Sequence, residues 1–258
     1  MCNYNSVFIN KSKKLKLKEK EKTLIEVDRK MQNGFEYKNW PIIKAMGNDD
    51  WGIEMAHWEF VPYWIKSEEA LKESRKKFNT LNATSERLLE SKMFRDAALK
   101  RRCLILSSGF YEWRHYQPEG AKKPITYPYY ITTNAENNNL YQNHNQNKMP
   151  LFLMAGIYQP TVDFTTGEVI DSFSIVTTAA NQLMEQIHNT QKRMPTLLTD
   201  ALAEEWIGKD LSEIRINEIA TSQFDSSAMK AWNISKDFRT ATNPIEEYRF
   251  EELPELIL

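Results

Sequence analysis

Cys2 stands directly after the initiator methionine. A residue this small at position 2 normally lets Met1 be clipped, leaving Cys2 with a free α-amine and a thiol on neighbouring carbons. That pair condenses with an aldehyde: the amine forms an imine, and the thiol then closes onto the same carbon as a thiazolidine ring. The amine titrates at about 7.7–8.0 and a free thiol at about 8.5, so reactive nucleophile is present at physiological pH. The second attack is intramolecular, which removes much of its entropic barrier. A chain end is also where side chains are most often loose and idle, so the rest of the sequence must decide whether Cys2 is used.

Three internal residues have matching chemistry. Glu112 sits between Tyr111 and Trp113 in an apolar stretch. Strand alternation puts it either in water or in a cleft, where desolvation would suit it to acid/base work near neutrality. His188 closes a short helical segment and precedes Asn189, Arg193, Met194 and Pro195; a histidine there is either a helix-end residue or a proton carrier. Asn82 opens the segment Asn82-Ala83-Thr84-Ser85-Glu86, as a cap, a turn residue or an orienting amide. Trp40, Trp58 and Trp64 are either core or stacking platforms for bases.

The elements that must position these residues follow from patterning. Large apolar residues alternate over 55–61 and stop at Pro62, as a strand does. Ser67 caps a helix that starts with Glu68 and Glu69 and ends with Arg75, Lys76 and Lys77. Leu88, Leu89, Met93, Phe94 and Ala97 predict a second helical stretch. Strands are expected over 103–106, 110–113, 129–132, 151–158 and 173–178, and helices over 181–188, 199–206 and 211–219. Interleaved strands and helices, with several strands adjacent in sequence, predict an α+β fold: one domain with a mixed, largely antiparallel sheet and flanking helices.

With 258 residues, 41% hydrophobic, the chain can bury a real core. Two cysteines, Cys2 and Cys103, support neither a disulfide framework nor a zinc ribbon. No metal or cofactor is called for. No apolar run reaches the length of a membrane span and no signal peptide is apparent, so a soluble, intracellular protein is expected. A net charge of -1 excludes a globally basic nucleic-acid binder and leaves only a local patch. One candidate is the run Lys11, Lys13, Lys14, Lys16, Lys18, Lys20 and Lys22, read as a solvated helix face, a flexible loop or a positive arm. Residues 134–147, rich in asparagine and glutamine, read as an exposed polar loop.

The ordered set of motifs is more specific than any member. Met1-Cys2, Asn82 to Glu86, Arg102 to Ile105 running into Gly109-Phe110-Tyr111-Glu112-Trp113, Ala155-Gly156-Ile157, Thr177 to Asn181, His188 and Arg193-Met194-Pro195 follow one another in an order that resembles the SRAP family, the SOS-response-associated peptidases now read as abasic-site processing proteins. The resemblance runs from Cys2 to about Asn243, and 1–243 would be the domain, with 244–258 as a C-terminal tail. It implies a barrel-like fold and capture of abasic sites in single-stranded DNA during the DNA-damage response. Cys2 would form the thiazolidine, Asn82 would orient the sugar or the amine, Glu112 would act as acid/base, and His188 would assist imine formation. Trp40, Pro41, Trp58, Trp64, Thr84, Arg87, Arg193, Met194 and Pro195 would contact DNA. The family name also implies peptidase or hydrolase activity, including removal of Met1, with abasic-site lyase activity beside it. A cytoplasmic monomer, nucleoid-associated if bacterial, would fit that role.

Two other readings use the same residues. Cys2, His188 and Asn82 imitate the Cys-His-Asn set of an N-terminal-nucleophile peptidase or amidase. A non-catalytic single-strand binder would need only aromatic rings and the lysines. The chain also departs from the family pattern. Asn3 and Tyr4 stand where the resemblance leads one to expect glycine and arginine, and Thr84 stands at another expected arginine. Phosphate-binding charge must then come from Arg87, Arg193 or the lysine run.

Overall fold

The computed structural model describes residues 2–10, 14–47, 49–134 and 149–257. The chain opens with β1 (Tyr4–Ile9), β2 (Lys14–Leu17) and β3 (Lys20–Thr23), followed by β4 (Val27–Asn33), β5 (Asn39–Gly47) and β6 (Asp50–Trp58). After α1 (Glu68–Lys77), β7 (Asn82–Thr84) and α2 (Arg95–Lys100) come β8 (Arg102–Ser107), β9 (Gly109–Tyr116), β10 (Ile125–Thr133), β11 (Phe152–Val162) and β12 (Val169–Ala179). The remainder is α3 (Gln182–Ile187), β13 (Arg193–Pro195), β14 (Leu197–Leu198), α4 (Asp200–Trp206), α5 (Glu213–Ala220) and β15 (Met229–Asn233). Ser67, Asn181, Thr199 and Ser212 each accept a backbone N–H at the start of α1, α3, α4 and α5. These are the caps that end the neighbouring extended segments.

The strands form a closed ring and an open sheet. The ring runs β12–β6–β5–β8–β11 and returns to β12, with β7 and β13 added on β12 and β14 on β11. Its pairings are antiparallel except those of β12 with β6 and with β7. The five-stranded sheet has the order β15-β10-β9-β1-β4. The α+β, largely antiparallel, barrel-like expectation therefore holds. Ring and sheet meet where β8 turns into β9 through Ser107, Ser108 and Gly109, which bond to Asn5, Ser6 and Phe8 of β1. Glycine is required at that corner, because a Cβ on Gly109 would fall 2.1 Å from the Tyr130 phenol.

Over its described residues, 14–22, the lysine run is a β-hairpin, not a helix face or a flexible loop. Lys-Leu-Lys-Leu at 14–17 has a period of two, and β2 and β3 form a hairpin turning on Lys18 and Glu19, both at positive φ. Leu15 and Leu17 are fully buried, and the Trp51 indole donates to the Leu17 carbonyl at 3.0 Å. Lys14 pairs with Glu21 at 2.8 Å, Lys16 with Glu19 at 2.5 Å and Lys22 with Asp50 at 2.7 Å, so these charges are not a bare positive arm. Lys11 and Lys13 lie outside the described residues, as do 135–148 of the polar loop. The helix expected around 88–97 is shorter and later, at α2, and Asn82–Thr84 is a strand, because its residues pair with Ile175, Val176 and Thr177 of β12.

Residues 244–257, read from the sequence as a tail, lie along the open sheet. The Trp232 indole donates to the Ile245 carbonyl, the Tyr127 hydroxyl meets Glu252, and Gln186 of α3 exchanges two hydrogen bonds with Ile257. Among the described residues no helix is long and apolar enough to cross a membrane.

One buried carboxylate fastens α1 to the ring. Glu59, 2% exposed, receives Arg75 at 2.9 and 2.6 Å and lies 3.2 Å from His57 Nε2. Arg75 in turn sits 3.8 Å over the Tyr37 ring. Burial works to raise the Glu59 carboxyl, but the bonds from His57 and Arg75 outweigh it and hold it below its usual range. Unfolded, a glutamate titrates at about 4.3. The stabilisation is therefore complete above that pH and is lost as pH falls through the lower folded value. Glu59→Gln should cost about 1–3 kcal/mol near neutrality, since it takes the charge partner from the half-buried Arg75 and leaves a buried amide in its place. In urea melts the gap to wild type should shrink on acidification below about pH 4; a gap that ignores pH would contradict this role.

Candidate active site

Cys2 precedes β1 and is 0% exposed. Its thiol donates weakly to the Tyr4 carbonyl at 3.9 Å. Burial pushes the thiol far above its ordinary value, and the negative charge of Glu112 pushes it further. The thiol is therefore protonated at neutral pH, within electrostatic reach of the Glu112 carboxyl.

Asn3 links this segment to two others. Its carbonyl accepts the Gly34 N–H at 2.8 Å, and its side-chain oxygen accepts the Asn82 amide at 2.9 Å. Asn82 is 5% exposed at the head of β7, held by parallel pairing with Ile175. Among the described residues its Oδ1, although buried, accepts no hydrogen bond. That oxygen can accept a hydrogen bond from an amine or a hydroxyl.

Glu112 lies on β9 opposite Tyr129 of β10 and is 2% exposed, so it occupies the inward face. Its Oε2 lies 3.8 Å from Nε2 of His188. His188 ends α3, which packs against β9. Its Nδ1 lies 2.8 Å from the Arg193 carbonyl and 3.3 Å from the Arg193 N–H, contacts that fix the ring with Nε2 towards Glu112. Pairwise interactions thus link Cys2 to Glu112, Glu112 to His188 and, through Asn3, the N-terminal segment to Asn82.

The family model for the SOS response associated peptidase (SRAP) matches residues 1–241. The chain belongs to the SRAP family. It is 29% identical over 178 residues to the abasic site processing protein YoqW of Bacillus subtilis (strain 168), covering 69% of this chain and 67% of that one. It is 32% identical over 175 residues to the abasic site processing protein HMCES of Mus musculus, covering 64% of this chain but only 46% of the mouse protein. A crystal structure from Bacteroides thetaiotaomicron superposes with a TM-score of 0.68 at 34% identity, covering 85% of each chain.

The SRAP resemblance also suggested DNA contacts, and several of these residues are not at the surface. Trp40 and Trp58 are 0% and 1% exposed, and their indoles donate to the buried carbonyls of Leu106 and Leu81. Trp58 stacks on Phe173 at 6.2 Å, so neither ring offers a face to a base. Pro41, Met194 and Pro195 are buried as well, on β5 and β13. Arg193 is committed to Glu86 at 2.5 Å and to the Thr177 carbonyl. Trp64 remains 44% exposed, edge-on to Tyr63 at 5.0 Å. Arg87 is exposed and Thr84 half-buried. The sequence reading missed Asn3, whose tie to Asn82 spans 79 positions and leaves no local signal.

Proposed function

We propose that this SRAP chain, once freed of Met1, captures the aldehyde of an abasic site in single-stranded DNA as a covalent thiazolidine on Cys2. The observation that carries the reading is the buried Glu112–His188 contact within electrostatic reach of the Cys2 thiol, with Asn82 tied to the same N-terminal segment through Asn3. The names of the YoqW and HMCES relatives, both abasic site processing proteins, support the substrate class.

The chemistry needs only these side chains. Opening the abasic sugar moves a proton from the C1 hydroxyl to the ring oxygen, and Glu112 relays it. The α-amine, oriented by Asn82 Oδ1, then adds to the aldehyde carbon, and the resulting carbinolamine loses one water as the imine forms. In the last step the sulfur bonds to that carbon, and the C=N electron pair returns to nitrogen. The thiol proton passes through Glu112 to the same nitrogen, so the net change is aldehyde plus aminothiol to thiazolidine plus water. His188 Nε2 faces Glu112 and supplies or holds a proton between steps.

A thiol kept protonated by burial and by Glu112 favours this order, amine first. It disfavours the peptidase reading, in which Cys2 would rest as a thiolate. The test offers the purified protein an oligonucleotide with one abasic site, the undamaged strand and a peptide. A band that survives denaturation with the abasic strand alone is expected. Peptide turnover without such a band would support the peptidase, and equal retention of both strands without a covalent band would support a simple binder.

A further inference from the structure

Arg239 is exposed, yet its guanidinium is held in place. Its central carbon lies 5.3 Å from the Tyr4 ring, 5.1 Å from Phe238 and 5.9 Å from Trp113. Tyr4 and Trp113 meet edge-on at 5.2 Å, which makes the three rings one rigid platform. Among the described residues no carboxylate pairs with Arg239, and its N–H groups donate to no protein acceptor. A cation seated on aromatic faces keeps its donors turned outwards and loses little entropy on taking up an anion.

The surroundings are positive. Arg239 borders a groove of about 490 Å³ together with Arg29, Lys30 and Lys38, of which Lys38 is paired with Glu36 at 2.6 Å, and the groove's own acid is Asp28. Lys30 Nζ donates to the Thr242 carbonyl at 3.0 Å, fixing the 238–244 segment against β4. The platform is built on elements of the reactive site but on the other face of the sheet: Tyr4 lies two residues after Cys2, at most about 7 Å of chain, and Trp113 follows Glu112 on β9, so its ring packs on the opposite face with Tyr111 and Phe238. Tyr4 and Thr84 carry no charge, and Arg193 is consumed by Glu86. A strand reaching Cys2 is therefore left with the exposed arginines, Arg87 and Arg239, as candidate phosphate partners, and of the two Arg239 is the one seated on rings.

We propose that Arg239, on its Tyr4–Trp113–Phe238 platform, is the clamp for a backbone phosphodiester of the single strand close to the captured nucleotide, a role that rests on the reading above for the identity of the strand. A planar guanidinium meets two phosphate oxygens at once, and the exposed ring edges beside it suit an unstacked base.

The test measures binding of an undamaged single strand by fluorescence anisotropy across salt, beside melting curves. Arg239→Ala should weaken binding about three- to tenfold and reduce the log–log salt slope by about 0.7, one phosphate contact on a single strand. Arg239→Lys should keep the slope and lose part of the affinity, because the point charge remains while the fork is lost. Arg249→Ala, which removes an exposed cation elsewhere, should leave the slope as in wild type. A folded Arg239→Ala protein with wild-type slope and affinity would overturn the proposal, as would displacement of the strand by millimolar inorganic phosphate at constant ionic strength, which would make the site one for a free anion. Because the strand is undamaged, a wild-type protein that binds it but never crosslinks to an abasic one would sink the crosslinking reading and leave the clamp standing.

Discussion

Placing one residue between Met1 and Cys2 should reduce stable crosslinking to an abasic strand by on the order of 10³-fold or more. The extension turns the α-amine of Cys2 into an amide, which cannot form an imine. The thiol can still add to the aldehyde, but the product is a reversible hemithioacetal that falls apart on denaturation. What is lost is an intramolecular ring closure, and well-oriented reactions of that kind carry effective molarities of about 10⁵ M or more. Cys2→Ser should fall similarly, since a buried hydroxyl is a far weaker nucleophile. The readout is the covalent band on a denaturing gel over time. A chain extended ahead of Cys2 that crosslinks at the native rate would mean that the linkage does not use the α-amine.

Glu112→Gln has the second largest expected effect. It preserves shape on β9 and removes the group able to pass protons, so single-turnover crosslinking should slow by about 10²-fold or more, the usual scale for a positioned acid/base. Its melting temperature should change little, because the neutral amide still fits beside His188. The pH profile adds a second constraint. Burial and the Glu112 charge keep the Cys2 thiol protonated well beyond the usual range. The wild-type rate should therefore rise only with deprotonation of the α-amine at about pH 7.7–8.0 and be level by about pH 9, because the base, not bulk hydroxide, removes the thiol proton. A rate that keeps climbing above about pH 9, or a Glu112→Gln rate equal to wild type at every pH, would take Glu112 out of the mechanism.

Much of the fold follows from local pattern. Ser67, Asn181, Thr199 and Ser212 announce helices by their side-chain oxygens, and the strands from Cys103 to Thr178 announce themselves by apolar and β-branched runs. Where reading failed, a stronger signal was present but overruled by composition: Lys-Leu-Lys-Leu has the period of a strand, and charge alone suggested a helix face or a loop. The site was legible residue by residue, yet its assembly was not. Asn82 and Asn3 are brought together by parallel pairing of β7 with β12, and Arg239 reaches Tyr4 from the far end of the chain. Trp40 and Trp58 illustrate the reverse limit. A tryptophan suits a stacking platform or a core equally by type, and only the buried carbonyls of Leu106 and Leu81 that satisfy their indoles decide for the core.

The most direct test of the central claim is the intact mass of the product formed with a short abasic single strand, taken under denaturing conditions without a reducing agent. Thiazolidine formation predicts one species at the mass of the chain lacking Met1 plus that of the strand, less one water, and its absence for the undamaged strand. Separate masses of protein and strand, or a joined species that still carries Met1, would contradict it.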